Sequence, residues 1–352
     1  QGSELTDNPI IKGLFYTLRA GTLSSSLAGL QFEEFDASSF NVSEETLVAV
    51  IEAYDHTSWS HVWTAITGFD LFLSAWFTPA LGLVFGCMDS LEVTHRKVIA
   101  AYQALDFAGK KKLDVTELMP MMLSSNLFIP LLLMLGRREQ AADVLAAFGY
   151  ALDESFEERW QIYFAGGVAK MFPWMNEVCE KLHLILLMVL SSPDGAVDYA
   201  MVSELIPPPR EIADAEASYP YIQSQALADL TSTGARAFLK LGRDDDACEL
   251  ARIATSPEFK TEKKWTLSQC HSVLGQVAAK RGSLDEAESH FASALAEAKL
   301  SRLPMVEVLA ARDWKKYVLE PNGRNCSAAE AVIDGACAKM KKTREQLASV
   351  LS

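Results

Sequence analysis

Apolar residues recur at three- and four-residue spacing along nearly the whole chain, the spacing that gives a helix one buried face. No run alternates apolar and polar positions with β-branched residues, as a half-buried strand requires. The pattern predicts an all-α protein with no significant β-sheet. In the first forty residues, Asn8-Pro9 and the run Leu23 to Ser26 read as turns around one short helix. A helix start follows at Asn41 to Glu45, where Ser43 can cap and the acidic residues favour the first turn. That helix runs on through Leu47, Val50, Ile51 and Tyr54.

The most apolar window, Ile66 to Met88, is about as long as a bilayer-spanning helix. Asp70 lies inside it, and Pro79, Gly82 and Gly86 interrupt it, so it reads as a buried helix pair rather than a membrane span. The runs Leu127 to Leu135 and Leu182 to Leu190 are too short to span and fit the centre of a globular array. At Pro207-Pro208-Pro209 no helix can continue, and the chain stiffens. Residues 1–206 are the more aromatic and apolar region; residues 210–352 are richer in alanine and charge, and the two can form one continuous array.

From Leu274 to Ala294 the pattern is sharper. Small residues at Gly275, Ala278, Ala287 and Ala294 allow two helices to approach, Gly282 turns the chain, and Leu274 and Phe291 fill the remaining space. This helical hairpin resembles the tetratricopeptide repeat, most clearly over residues 271–298. Similar turns stand at Gly136, Gly242 and Gly323, each with an alanine five residues on (Ala141, Ala247, Ala328), as Ala287 follows Gly282. The likeness extends to residues 225–257 and, more faintly, 120–150. Gly242, Gly282 and Gly323 are 40 and then 41 residues apart, longer than the roughly 34 residues of the standard repeat. The extra length falls in the helices or in loops near Ser256-Pro257 and Leu303-Pro304.

The resemblance implies an α-solenoid of antiparallel helix pairs, a kind of fold that usually builds binding surfaces. It places Gln269, Ser272, Gln276 and Lys280 of one repeat, and Ser232, Arg236 and Lys240 of the preceding one, along the concave groove. Arg236, Lys240 and Lys280 would then form a basic strip able to hold an acidic peptide or a C-terminal carboxylate. Carboxylate-clamping members of the family place asparagine where this chain has Arg236 and Gln276, and the departure changes the expected contacts. Trp265 and Trp314, near hairpin ends, read either as binding anchors or as core.

Composition narrows the function classes. The chain has 352 residues, 49% of them hydrophobic, enough for a core and too apolar for a disordered chain. A net charge of −14 argues against nucleic acid, whose phosphates draw on clustered Lys and Arg. Six scattered cysteines with no Cys-x-x-Cys pair suit a reducing, cytoplasmic setting. The chain opens Gln1-Gly2-Ser3 without Met, like the remnant of a cleaved tag, so a targeting segment can precede it.

One pattern points to catalysis. Glu92 with His95, and Glu180 with His183, are two Glu-x-x-His pairs, each placing a carboxylate and an imidazole on one helix face. With Asp70 and Glu157 they have the spacing of a di-iron or di-manganese carboxylate site. His56 and His61, five apart, do not share a helix face, and no nucleophile elbow or phosphate loop occurs. The reading favoured by the sequence is a non-catalytic adaptor that binds a protein or peptide in a helical groove and needs no cofactor. The alternatives are a helical enzyme with Fe or Mn, and a homo-oligomer or apolar-ligand binder built on the long apolar helices.

Overall fold

A computed structural model describes residues 81–105, 124–153, 155–168, 176–197, 202, 204–218, 229–259 and 263–352. Among these residues all regular structure is helical, as the periodicity predicts. The helix start at Ser43, His56, His61, Asp70 and Pro79 lie outside the described residues. None of the described helices is long and apolar enough to cross a membrane.

A π-helical turn, Leu81–Phe85, leads into α1 (Met88–Leu105). Helices α2 (Ile129–Met134) and α3 (Arg138–Ala147) follow, then α4 (Phe156–Trp160), which continues as a π-helix over Gln161–Val168. Helix α5 (Glu177–Ser191) carries the apolar run read from the sequence and is buried over most of its length. Its start is fixed by Asn176, whose side chain accepts from the Val178 and Cys179 amides. Pro208 is extended and Pro209 is the first residue of α6 (Pro209–Ala217), so the last proline starts a helix where its missing N–H costs nothing.

The remaining helices are α7 (Leu230–Lys240), α8 (Asp244–Thr255), α9 (Lys264–Lys280), α10 (Leu284–Leu300), α11 (Pro304–Trp314), α12 (Ser327–Met340) and α13 (Ala348–Leu351). Each of α7 to α12 packs on its neighbour in sequence, except that α11 also packs on α9, α9 on α7, and α6 on α8. Helix α5 lies against α7, and the Leu81–Phe85 turn lies against α11. Among the described residues the main hydrophobic core extends from Leu83 to Val350 and includes Ile206 and Ile212 on either side of the triple proline, with a second small cluster around Phe291.

The four glycine turns share one geometry. Gly136, Gly242, Gly282 and Gly323 have φ of 78°, 73°, 77° and 61°, the left-handed region that a side chain disfavours. At each, the glycine amide and the following amide donate back to carbonyls of the last helical turn: Gly242 to Leu239 and Arg243 to Phe238, at 3.2 and 2.9 Å, and Gly282 to Ala279 and Ser283 to Ala278, at 3.0 and 2.9 Å. These bonds satisfy carbonyls that a helix end otherwise leaves open. Salt bridges then link successive turns: Lys280 to Asp244, Arg281 to Asp245 and Arg324 to Glu288, each spanning 36 positions. These pairs are exposed and add little stability.

Between α9 and α10 the small residues act as the sequence suggests. Leu274, Ala278, Ala287, Phe291 and Ala294 are buried, and a Cβ at Gly275 would stand 2.7 Å from the Phe291 ring. The same fit occurs one hairpin earlier, where a Cβ at Gly234 would stand 2.7 Å from Leu250. Gly234 and Leu250 precede Gly275 and Phe291 by 41 residues each. Trp265 is core, and Trp314 packs against the small cluster that contains Phe291.

Gly275→Ala is therefore expected to destabilise the fold by about 1–3 kcal/mol through overpacking against Phe291. Gly282→Ala, which meets open space but keeps a φ of +77°, should cost about 1–2 kcal/mol through backbone strain alone. Urea unfolding measures both, and an unchanged midpoint for Gly275→Ala would contradict the close approach.

Candidate functional site

The faces of α7, α9 and α11 that lie side by side line a small open cleft. Helix α9 contributes Ser268, Ser272 and Gln276, one turn apart along a single face, with Gln269 and Val273 beside them. Helix α11 contributes Val306, Leu309 and Ala310 as an apolar wall, ending in Arg312 and Asp313. Arg236 of α7 and Met134, at the end of α2, close the opposite side.

Of the groove positions expected from the sequence, the structure brings Arg236, Gln269, Ser272 and Gln276 together. Ser232, Lys240 and Lys280 lie elsewhere. Ser232 is buried and donates to the Asp229 carbonyl at 3.2 Å. Lys240 turns to the end of α5, donating to the carbonyls of Leu190, at 2.9 Å, and Ser192. Lys280 is exposed and paired with Asp244 at 2.9 Å. The expected basic strip is not a single surface: long cationic side chains reach the nearest acceptors, and here these belong to separate parts of the chain.

Arg236 is the one cation of the strip in the cleft. Its Nη2 donates to the Leu133 carbonyl at 2.8 Å, at the end of α2. Burial pulls its pKa down to about 10; Asp313 works against that and Arg312 with it. It remains charged at neutral pH. Asp313 acts on it only through space, while its Oδ1 accepts from Arg312 Nε at 2.9 Å and from Nη2 at 2.7 Å. Arg312 also donates to the Val350 carbonyl at 3.0 Å. Burial likewise draws the Lys240 pKa down to about 8, with Arg138 adding to the shift and Asp194 opposing it.

The sequence reading missed Ser268, Arg312 and Asp313. For α11 a signal exists: Val306, Leu309, Ala310 and Asp313 follow the three-four spacing of one helix face, directed at α9. A second polar group, also missed, joins α6, α7 and α9, with Asp229, Thr231 and Thr266 buried and Glu216 and Lys263 half-buried. Asp229 accepts from Thr266 at 2.5 Å and faces Lys263 at 3.5 Å. Glu216 accepts from the Thr231 amide at 2.8 Å, and burial, then Asp229, push its pKa well above the usual carboxylate range. Glu216 is thus held as the neutral acid beside a charged aspartate.

The two Glu-x-x-His pairs do not assemble. Glu92, on α1, accepts from Arg137 and from Gln140, the latter at 2.8 Å, and His95 lies 3.7 Å from Asp143. Glu180, on α5, accepts from Asn126 at 3.4 Å, and Glu157 pairs with Lys181 at 2.5 Å. Among the described residues no three His, Cys, Asp or Glu gather closely enough to hold a metal. The spacing along each helix is right; the carboxylates are taken by cations and amides of other elements. His183 is buried, its Nε2 has no hydrogen-bond partner among the described residues, and burial lowers its pKa to about 3.

No protein-family model matches the chain, and no curated protein or solved structure matches it.

His183 yields a pH prediction. Its folded pKa lies below the roughly 6.5 of an unfolded histidine, so the native state binds fewer protons between those values, and stability falls as pH drops below about 6.5. The slope from this group approaches 1.4 kcal/mol per pH unit. Urea unfolding at pH 7 and pH 5 should show a smaller loss for His183→Leu than for the wild type; equal losses would remove His183 as the cause.

Proposed function

We propose that the chain is a non-catalytic adaptor or scaffold, a tetratricopeptide-like α-solenoid whose cleft between α7, α9 and α11 docks a peptide segment of a protein partner. In this reading α7–α8, α9–α10 and α11–α12 are successive antiparallel pairs, and α7, α9 and α11 are the first helices lining the concave side. The recurring glycine turn and the repeat of the Gly275–Phe291 fit at Gly234–Leu250 support such an array. The observation that carries the functional reading is the convergence of four expected groove positions, Arg236, Gln269, Ser272 and Gln276, on one cleft.

The chemistry of the cleft suits a polypeptide. Gln269 and Gln276 each offer a donor and an acceptor, as a peptide backbone requires, and the α11 wall offers Val306, Leu309 and Ala310 to a side chain. The net charge of −14 weighs against a nucleic-acid partner.

Ser272→Arg, at a buried position on the floor of this cleft, fills the space a docked segment would use. Affinity purification from cells, compared by quantitative mass spectrometry, should show at least one partner reduced by ~10-fold or more in this variant, the loss expected when a central contact is blocked. A control change on the outer face, Lys299→Glu, should leave that partner in place. Identical partner sets for wild type and Ser272→Arg would sink the proposal.

A further inference from the structure

His271 of α9 and His290 of α10 face one another beside the close approach of these two helices. Their rings are stacked, with centroids 6.0 Å apart and planes 29° from parallel. His271 lies one turn before Gly275, and His290 directly precedes Phe291. The fit of Gly275 against the Phe291 ring sets the distance between the helices, and so holds the two imidazoles together.

The rings differ in what surrounds them. His271 Nδ1 is buried and has no hydrogen-bond partner among the described residues. A neutral ring tolerates this, because one of its nitrogens carries no proton, whereas an imidazolium carries a proton on both. Charging His271 therefore forces an N–H without an acceptor into buried space, which is costly. The His290 side chain is 24% exposed, and Glu286, one turn earlier on α10, brings its Oε1 to 3.8 Å from His290 Nε2. That carboxylate favours a charge on His290, and Arg252 of α8 opposes it. Among the described residues, the other elements packed on α9 and α10 bring no charge that acts on either ring.

The two sites are coupled. Burial lowers the pKa of both rings; His290 adds to the lowering at His271, while Glu286 works against it at His290. As pH falls, His290 is the first to take a proton, and its charge then holds off a proton at His271. Separating the helices relieves the repulsion only at the expense of the Gly275–Phe291 packing.

We propose that His271 and His290 form an acid-sensitive seam between α9 and α10, closed while at most one ring is charged and parted when both take a proton. The seam is independent of the docking role of the cleft and sets how firmly α10 holds to α9. Both folded pKa values lie below the roughly 6.5 of an unfolded histidine, so the closed seam binds fewer protons than the open one. Its stability is complete above about pH 6.5 and falls as pH drops below that value.

The test follows both imidazoles of the full chain by NMR through an acid titration, each signal assigned by its absence in a variant. In the wild type His290 should titrate at higher pH than His271. His290→Gln removes the charge and keeps a polar side chain; it should raise the His271 midpoint towards 6.5, by roughly half a pH unit or more. Glu286→Gln should move the midpoints in opposite directions, His290 down and His271 up, which loosened packing alone does not do. Amide exchange, corrected for its intrinsic pH dependence, reads the opening itself. Between pH 7 and pH 5, protection of the α9 and α10 amides around Gly275 and Phe291 should fall about tenfold more in the wild type than in His271→Gln/His290→Gln. His183 is present in both proteins, so the acid loss it causes is common to them. A His271 midpoint unmoved by His290→Gln, or equal losses of protection in the wild type and the double variant, would overturn the proposal.

Discussion

Every helix ends with carbonyl oxygens that its own backbone cannot satisfy, and the architecture follows from how this chain satisfies them. Within the hairpins the remedy is local: a glycine in the left-handed region folds the next amides back onto the last turn, as at Gly136, Gly242, Gly282 and Gly323. Between distant parts of the chain the remedy is a cationic side chain. Arg236 reaches the end of α2, Lys240 the end of α5, and Arg312 the end of α13. The charge on each also suits the negative end of the helix it meets. Helix α7 thereby ties both α2 and α5 to the C-terminal helices, and the main core from Leu83 to Val350 is the packing that results.

The same constraint produces the candidate site. Recruiting Arg236 to a helix end places a guanidinium at the edge of the core but uses little of its bonding capacity. Its pKa of about 10 leaves it charged at neutral pH despite desolvation. Because Asp313 is already bound to Arg312, the cleft keeps an excess positive charge in a protein of net charge −14.

What the sequence made legible is local. A glycine turn declares itself because positive φ excludes most other residues, and the Gly275–Phe291 contact because a small residue must face a large one. The equivalent pair Gly234–Leu250 has the same logic but escaped notice, since leucine in a helix carries no distinctive signal. The basic strip misled for a physical reason. Arg236 and its acceptor Leu133 are 103 residues apart, and Lys240 and Leu190 are 50 apart; long flexible side chains follow the tertiary fold, not the repeat register. The Glu-x-x-His pairs illustrate the same limit. Helix periodicity places Glu92 beside His95 and Glu180 beside His183, but only the packing of α1 against α3 decides that Glu92 meets Arg137 and Gln140.

The central claim is that cationic side chains at helix ends tie α7 to the rest of the chain, Arg236 at α2 and Lys240 at α5. Urea unfolding of Arg236→Met and of Lys240→Met tests it most directly. The account predicts a loss of about 1.5–3 kcal/mol in each variant, the range for a hydrogen bond to a charged group. An unchanged midpoint in both variants would contradict it.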